Sequence, residues 1–194
     1  MSIYSDICSI YKDFDERITG LQSATGMRCP ADCSDCCREK HVEATVLELL
    51  PLAKEIYLRK EEDALMAAIL KKLEAQDPVC VLLRNVTQDG NNGHCGYYEF
   101  RPLVCRLFGF ASRRNKSGHI ELMTCRIIKE GKQEEVRKAE TVLSHGFKLP
   151  VYQDAFMSMS SMKPGIGTRR LPINMALKEA IEGHYWSSQT KDRD

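Results

Sequence analysis

The chain has no surplus of charge of either sign, with 28 Lys and Arg against 27 Asp and Glu. So even a balance supplies no global field to draw a protein onto nucleic acid or anionic lipid, and neither partner is expected. No stretch approaches the roughly 20 apolar residues of a membrane span. The N-terminal segment carries Asp6, Asp13, Asp15 and Glu16 and has no uninterrupted apolar run, which argues against a secretory signal. Low-complexity blocks and solenoid-type repeats are missing as well, and no Ser, His and Asp set is identifiable as a nucleophile. Hydrophobic residues at 43% and charged residues at 28% match a folded soluble protein. The expectation is a single domain over residues 1–194, in the reducing cytoplasm.

What the chain does have is cysteine. Nine thiols in a reducing compartment point to metal binding or redox chemistry rather than to disulfides. The densest stretch runs Cys29-Pro30-Ala31-Asp32-Cys33-Ser34-Asp35-Cys36-Cys37, and Cys80, Cys95, Cys105 and Cys125 follow. Thiolates are soft ligands selected by zinc and by iron-sulfur clusters, so eight of them in two blocks suit two four-coordinate centres. The spacing lets Cys29, Cys33 and Cys36 converge on one centre. Cys36 and Cys37 are expected to diverge, as successive side chains do in strands and helices, so one of them is expected to serve a second centre nearby. This knot reads as too polar and too tight for regular structure. Cys8 stands apart beside an apolar stripe and reads as a small buried core residue.

A structural zinc contributes roughly 10–16 kcal/mol, against a net domain stability of roughly 5–15 kcal/mol. The cysteine segments are therefore expected to depend on metal for order.

Periodicity supplies the scaffold. Ile3, Ile7, Ile10, Phe14, Ile18 and Leu21 predict an amphipathic helix ending near Gly20. Thr45 and Glu48 form a capping box ahead of a helix bearing Val46, Leu49, Leu50, Ala53, Ile56 and Tyr57, with Pro51 as a kink point. A second helix buries Leu65, Ala68, Ile69 and Leu73, the charged run from Arg59 to Asp63 forming a solvated junction. Later helices carry Val136, Ala139 and Leu143, stopping at Gly146, and Ile173, Ala176, Leu177, Ala180 and Ile181, opened by Pro172 and fraying from Ser187.

Two hairpins are expected around the later cysteines. Strands at Val79–Leu83 and Cys95–Phe100, joined by a turn with Asp89, Gly90, Asn91, Asn92 and Gly93, set Cys80 opposite Cys95. Strands at Leu107–Arg113 and His119–Thr124, flanking Asn115, Lys116, Ser117 and Gly118, bring Cys105 towards Cys125. Pro102 suits the first turn of a helix, where amide ends and the flanking Arg101 and Arg106 favour the Cys105 thiolate. Both arginines are candidate outer neighbours of the metal, Arg106 ahead of Arg101. The fold class that results is α+β: mostly helical, with small β-hairpins around a cysteine core at 29–125 and helices packed at either end.

Cys-x3-Cys-x2-Cys-Cys, a later cysteine, then Cys95-Gly96-Tyr97-Tyr98 leading into Arg101-Pro102-x2-Cys105-Arg106 resembles the CxCC cysteine-cluster family, also called YkgJ-type and described as a zinc- or iron-chelating domain. The resemblance covers about Cys29 to Cys125. It implies that Cys29, Cys33, Cys36, Cys37, Cys80, Cys95 and Cys105 bind metal, with Cys125 as a less strictly placed final ligand. One branch is similar to the flagellin lysine N-methylase, which implies a protein-modifying activity on a protein or peptide substrate, though that branch has a longer chain.

Cys29, Cys33 and Cys36 also match the spacing by which radical S-adenosylmethionine enzymes hold a four-iron cluster. The absence of alternating strand–helix units argues against their barrel, and S-adenosylmethionine enters only under a methyl-transfer reading. Three readings stay open: a zinc-stapled interaction module, an iron-sulfur redox or group-transfer protein, and a metal-handling protein. Zinc and iron-sulfur are both open as the cofactor. His41, His94 and His119 read as solvent-exposed or core histidines, Gly165–Arg170 as a plain loop, and Met157, Met159 and Met162 as filler.

Overall fold

In this computed structural model residues 2–86 and 92–191 are described. In chain order the elements are α1 (Ile3–Thr25), α2 (Asp35–Arg38), β1 (Glu43–Thr45), α3 (Val46–Leu58), α4 (Glu62–Glu74), β2 (Leu83–Asn85), β3 (Gly93–Cys95), a 3₁₀ turn (Tyr98–Phe100), α5 (Leu103–Leu107), β4 (Ala111–Arg114), β5 (Ile120–Met123), α6 (Arg126–Gly131), α7 (Gln133–Ser144), α8 (Tyr152–Met162), α9 (Pro164–Gly167), β6 (Arg170–Pro172) and α10 (Ile173–Lys191). Most of the chain is helical and the strands form three antiparallel pairs, an α+β fold as expected. Two compact units result: residues 1–31 with 105–158, and residues 32–104 with 159–194.

In the first unit α1 buries Ile7, Tyr11, Phe14, Ile18 and Leu21 along one stripe and contacts α7, which buries Val136, Ala139 and Leu143. Helix α1 runs past Gly20 to Thr25, where Gly26 takes φ 76° and returns its N–H to Gln22. The left-handed cap, which favours glycine, ends the helix; Gly20 lies inside it. Cys8 is exposed on α1: it sits beside the buried stripe without belonging to it, which corrects the reading of Cys8 as a core residue. Hairpin β4–β5 pairs Ala111 with Met123 and Arg114 with Ile120. The buried guanidinium of Arg106 pairs with Asp15 and lies 4.4 Å from the Tyr11 ring centroid, anchoring α5 to α1.

In the second unit α10 packs on α3 and α4. Leu47, Leu49, Leu52, Ala53 and Ile56 from α3 are fully buried, as are Ala176 and Ala180 from α10. The capping box forms: Thr45 Oγ1 accepts the Glu48 N–H at 3.3 Å, and the Glu48 carboxylate accepts the Thr45 N–H at 3.0 Å. On α4, Leu65 and Ile69 are buried, while Ala68 and Leu73 are half-buried. Strand β1 pairs with β6, Ala44 opposite Leu171. Of residues 165–170, expected as a plain loop, 165–167 belong to the turn α9 and Arg170 enters β6. Gly167 is required there, since a Cβ would lie 2.9 Å from Leu47 Cδ2 and 3.0 Å from Ser160 Cα. Helix α10 continues through the segment expected to fray from Ser187, as far as Lys191.

Candidate metal centre

Three short pieces of the second unit bring cysteines together. Helix α2 is a single turn that carries Cys36 and Cys37, where regular structure was not expected. Its amide ladder starts at Ser34, whose carbonyl accepts the Cys37 N–H at 2.8 Å. Arg38 ties the turn down, reaching Ser34 Oγ at 3.0 Å and Asn85 Oδ1 at 2.9 Å. The segment after α4 carries Cys80, and its N–H donates to the Cys37 carbonyl at 2.9 Å.

Cys95 ends β3 and pairs with Leu83, not with the region of Cys80. The hairpin is shorter and later in register than the sequence suggested, because Leu83 N–H turns back to the Cys80 carbonyl at 3.1 Å. Cys80 therefore leads into the strand rather than lying within it. Of the polar turn, residues 87–91, including Asp89, Gly90 and Asn91, lie outside the described residues. Gly93 admits no side chain, since a Cβ would sit 2.6 Å from the Arg84 carbonyl oxygen.

Cys37 and Cys80 are buried, and Cys36 and Cys95 are half-buried. Every pair among the four is linked by a hydrogen bond or by the charge of one on the other. The Cys37 thiol donates to the Cys36 sulfur, which holds Cys36 down at about 7 against the opposing effect of burial, with Arg101 helping. Cys37 is pushed far up as the donor in that bond, then by burial and by charge on Cys36, Cys80 and Cys95. Burial pushes Cys80 up to about 12. Cys95 is raised, first by burial and then by Cys36, while Arg101 and Arg84 oppose the shift.

The neighbouring thiols of α2 thus meet rather than diverge, joined by the hydrogen bond from Cys37 to Cys36. Among the described residues, no three His, Cys, Asp or Glu side chains stand at coordination geometry around one point. The donor set nevertheless suits a soft cation: four thiolates in a buried space repel one another and require positive charge.

Arg101 supplies part of that charge to Cys36 and Cys95. Its Nε donates to the Tyr98 carbonyl at 2.9 Å, and its guanidinium lies 3.5 Å from the Tyr98 ring centroid. The Tyr97 hydroxyl donates to Glu61, and the Arg59 guanidinium lies 4.7 Å from the Tyr97 ring centroid. These contacts fix the Cys95–Arg101 stretch.

Asn174, on α10, is a supporting residue that no sequence signal marked. It is buried; its Oδ1 accepts the Val81 N–H at 2.9 Å, and its Nδ2 donates to the Val79 carbonyl at 3.0 Å. The two bonds straddle Cys80. Asp77 adds a third, accepting the Val79 N–H at 2.9 Å. An Asn on a helix otherwise buried through Ala176, Leu177 and Ala180 was the one available hint.

The other predicted ligands lie elsewhere in the chain. Cys33 is half-buried ahead of α2, in the second unit. Cys29, exposed, and Cys105 and Cys125, both half-buried, belong to the first unit. Cys105 lies within α5, and Cys125 caps α6, its Sγ accepting the Ile128 N–H at 3.5 Å. Arg106 has its ion pair on Asp15. His41, His94 and His119 are exposed.

A family model described as "Putative zinc- or iron-chelating domain" matches residues 28–141. No curated protein and no solved structure matches the chain.

Proposed function

Because the chain belongs to this zinc- or iron-chelating family, CxxCxxCC, we propose that Cys36, Cys37, Cys80 and Cys95 form a four-thiolate centre for zinc or iron. The observation that carries the reading is the convergence of α2, the Cys80 segment and β3: the Cys80 N–H donates to the Cys37 carbonyl at 2.9 Å, and Leu83, opposite Cys95, donates its N–H to the Cys80 carbonyl at 3.1 Å. A bound cation would supply the charge that cancels their repulsion. Loading requires the Cys37 sulfur to turn from Cys36 towards the shared ion, with proton loss from the buried thiols. Arg101 holds down the remaining negative charge.

Four sulfurs close the coordination sphere of zinc or iron, which favours a structural or metal-handling role over an open catalytic position. Cys29, Cys33, Cys105 and Cys125 are assigned to metal on spacing and family likeness. A protein or peptide partner and its modification rest on family likeness.

The test is anaerobic purification followed by a visible spectrum and assays of zinc, iron and acid-labile sulfide. Colourless protein with stoichiometric zinc selects zinc. Brown protein with iron and sulfide selects an iron-sulfur cluster. Protein that retains neither metal, and whose circular dichroism and melting ignore chelator, refutes the centre.

A further inference from the structure

The C-terminal face of the second unit exposes large side chains that a folded chain normally covers. Trp186 is 68% exposed, Leu58 68% and Tyr185 44%. Tyr185 and Trp186 meet edge to face with centroids 5.2 Å apart, and the rings of Tyr57 and His184 lie 4.8 Å apart at a tilt of 42°. Tyr57, Met66, Ile181, Tyr185 and Trp186 line a shallow hollow of about 760 Å³. Contiguous exposed apolar surface of this kind marks an interaction site, and Tyr and Trp are the residues most enriched where binding energy concentrates.

The charge around the hollow selects the partner. Glu179 and Glu182 stand on its wall, and Glu62 and Asp63 act on the Tyr57 hydroxyl from α4. Among the described residues Lys178 pairs with Glu182 at 2.6 Å and Arg169 pairs with Glu179, which leaves Glu62 and Asp63 as the surplus. Glu62 Oε2 is buried and has no hydrogen-bond partner among the described residues. Aromatic faces backed by excess carboxylate attract guanidinium and ammonium groups, which gain both cation–π and ionic contacts. The same surplus disfavours anionic lipid and nucleic acid.

We propose that the hollow bounded by Tyr57, Tyr185, Trp186 and Glu182 docks a basic segment of a protein partner through an arginine or lysine side chain. The site is independent of the cysteine centre.

Trp186 is the single tryptophan of the chain, so its fluorescence reports directly on the hollow. The full-length protein is titrated with a peptide alternating Arg and Gly, and with the Glu–Gly counterpart. Saturable change with the Arg peptide alone, weakening as salt rises, is the expected result. Labelled-peptide anisotropy should show binding weakened about threefold to tenfold by Glu182→Gln and by Trp186→Ala, both exposed enough to leave the fold intact. Tyr57→Ala should act likewise, checked by circular dichroism because its hydroxyl also bonds to Ile181. Equal binding of both peptides, no binding, or sedimentation showing that the hollow is covered by a second copy of the chain would each overturn the proposal.

Discussion

The backbone N–H of Cys80 donates to the carbonyl of Cys37 across 2.9 Å, joining two candidate ligands from segments far apart in the chain. The bond fixes the Cys80 backbone against α2 while leaving both sulfurs available. Replacing Cys36 or Cys80 by Ser should therefore abolish metal retention, whereas Cys8→Ser, at an exposed position on α1, should leave it unchanged. Metal content by elemental analysis decides; equal loss in all three variants would remove the distinction.

Asn174 holds the peptide units on both sides of Cys80. Asn174→Ala strands the half-buried Val79 carbonyl and the buried Val81 amide, a loss of about 2–4 kcal/mol. Denaturant melts should show this loss, and competition with a chromophoric chelator should show weaker metal binding in the variant that remains folded. Metal affinity equal to wild type would leave Asn174 with a purely structural part.

Acid should release the metal. Cys36 lies at about 7 and Cys80 at about 12, with Cys37 and Cys95 raised. Just above neutrality Cys36 is a thiolate and the other three keep their protons, so loading displaces about three protons and affinity falls by up to about a thousandfold per unit of acidification. Below the Cys36 value a fourth proton joins. Calorimetry in buffers of different ionisation enthalpy measures the count; a pH-independent affinity would contradict ligation by these thiols.

Arg101→Ala should weaken metal binding by about 10–100-fold, the usual effect of losing a group that supports a ligand. Arg101→Lys should recover part of it, since the charge returns without the planar stacking on Tyr98.

Glu48 gives a separate pH signature. Burial raises its pKa, with the Thr45 bonds opposing. A carboxyl raised in this way holds its proton more tightly folded than unfolded, so its contribution is complete below the ordinary value near 4.5 and is lost as pH climbs through the raised value. Glu48→Gln keeps an acceptor for Thr45 and should flatten this decline, melting higher than wild type at neutral pH. Parallel melting profiles against pH would contradict the assignment.

Local patterns carried much of the scaffold. The stripe of α1, the Thr45–Glu48 box, and the buried faces of α7 and α10 all follow from spacing along one helix. Misplaced features depend on partners distant in sequence. Strand β1 exists because β6 lies beside it. The β2–β3 register is set by where Leu83 turns back to Cys80. Helix α2 is too short to show a period and is secured by Arg38 reaching Asn85.

The candidate site divides along the same line. Clustered thiols in tight spacing announce soft-metal chemistry from residue type alone, because no other side chain offers those ligands. Which four thiols share a space is a matter of packing. Cys36 and Cys37 are adjacent in any conformation, but only the folding of α10 over the Cys80 segment, through Asn174, and the closure of β2 on β3 bring Cys80 and Cys95 to them. Residue type announces the chelating chemistry; hydrogen bonds between segments distant in sequence decide which thiols come together.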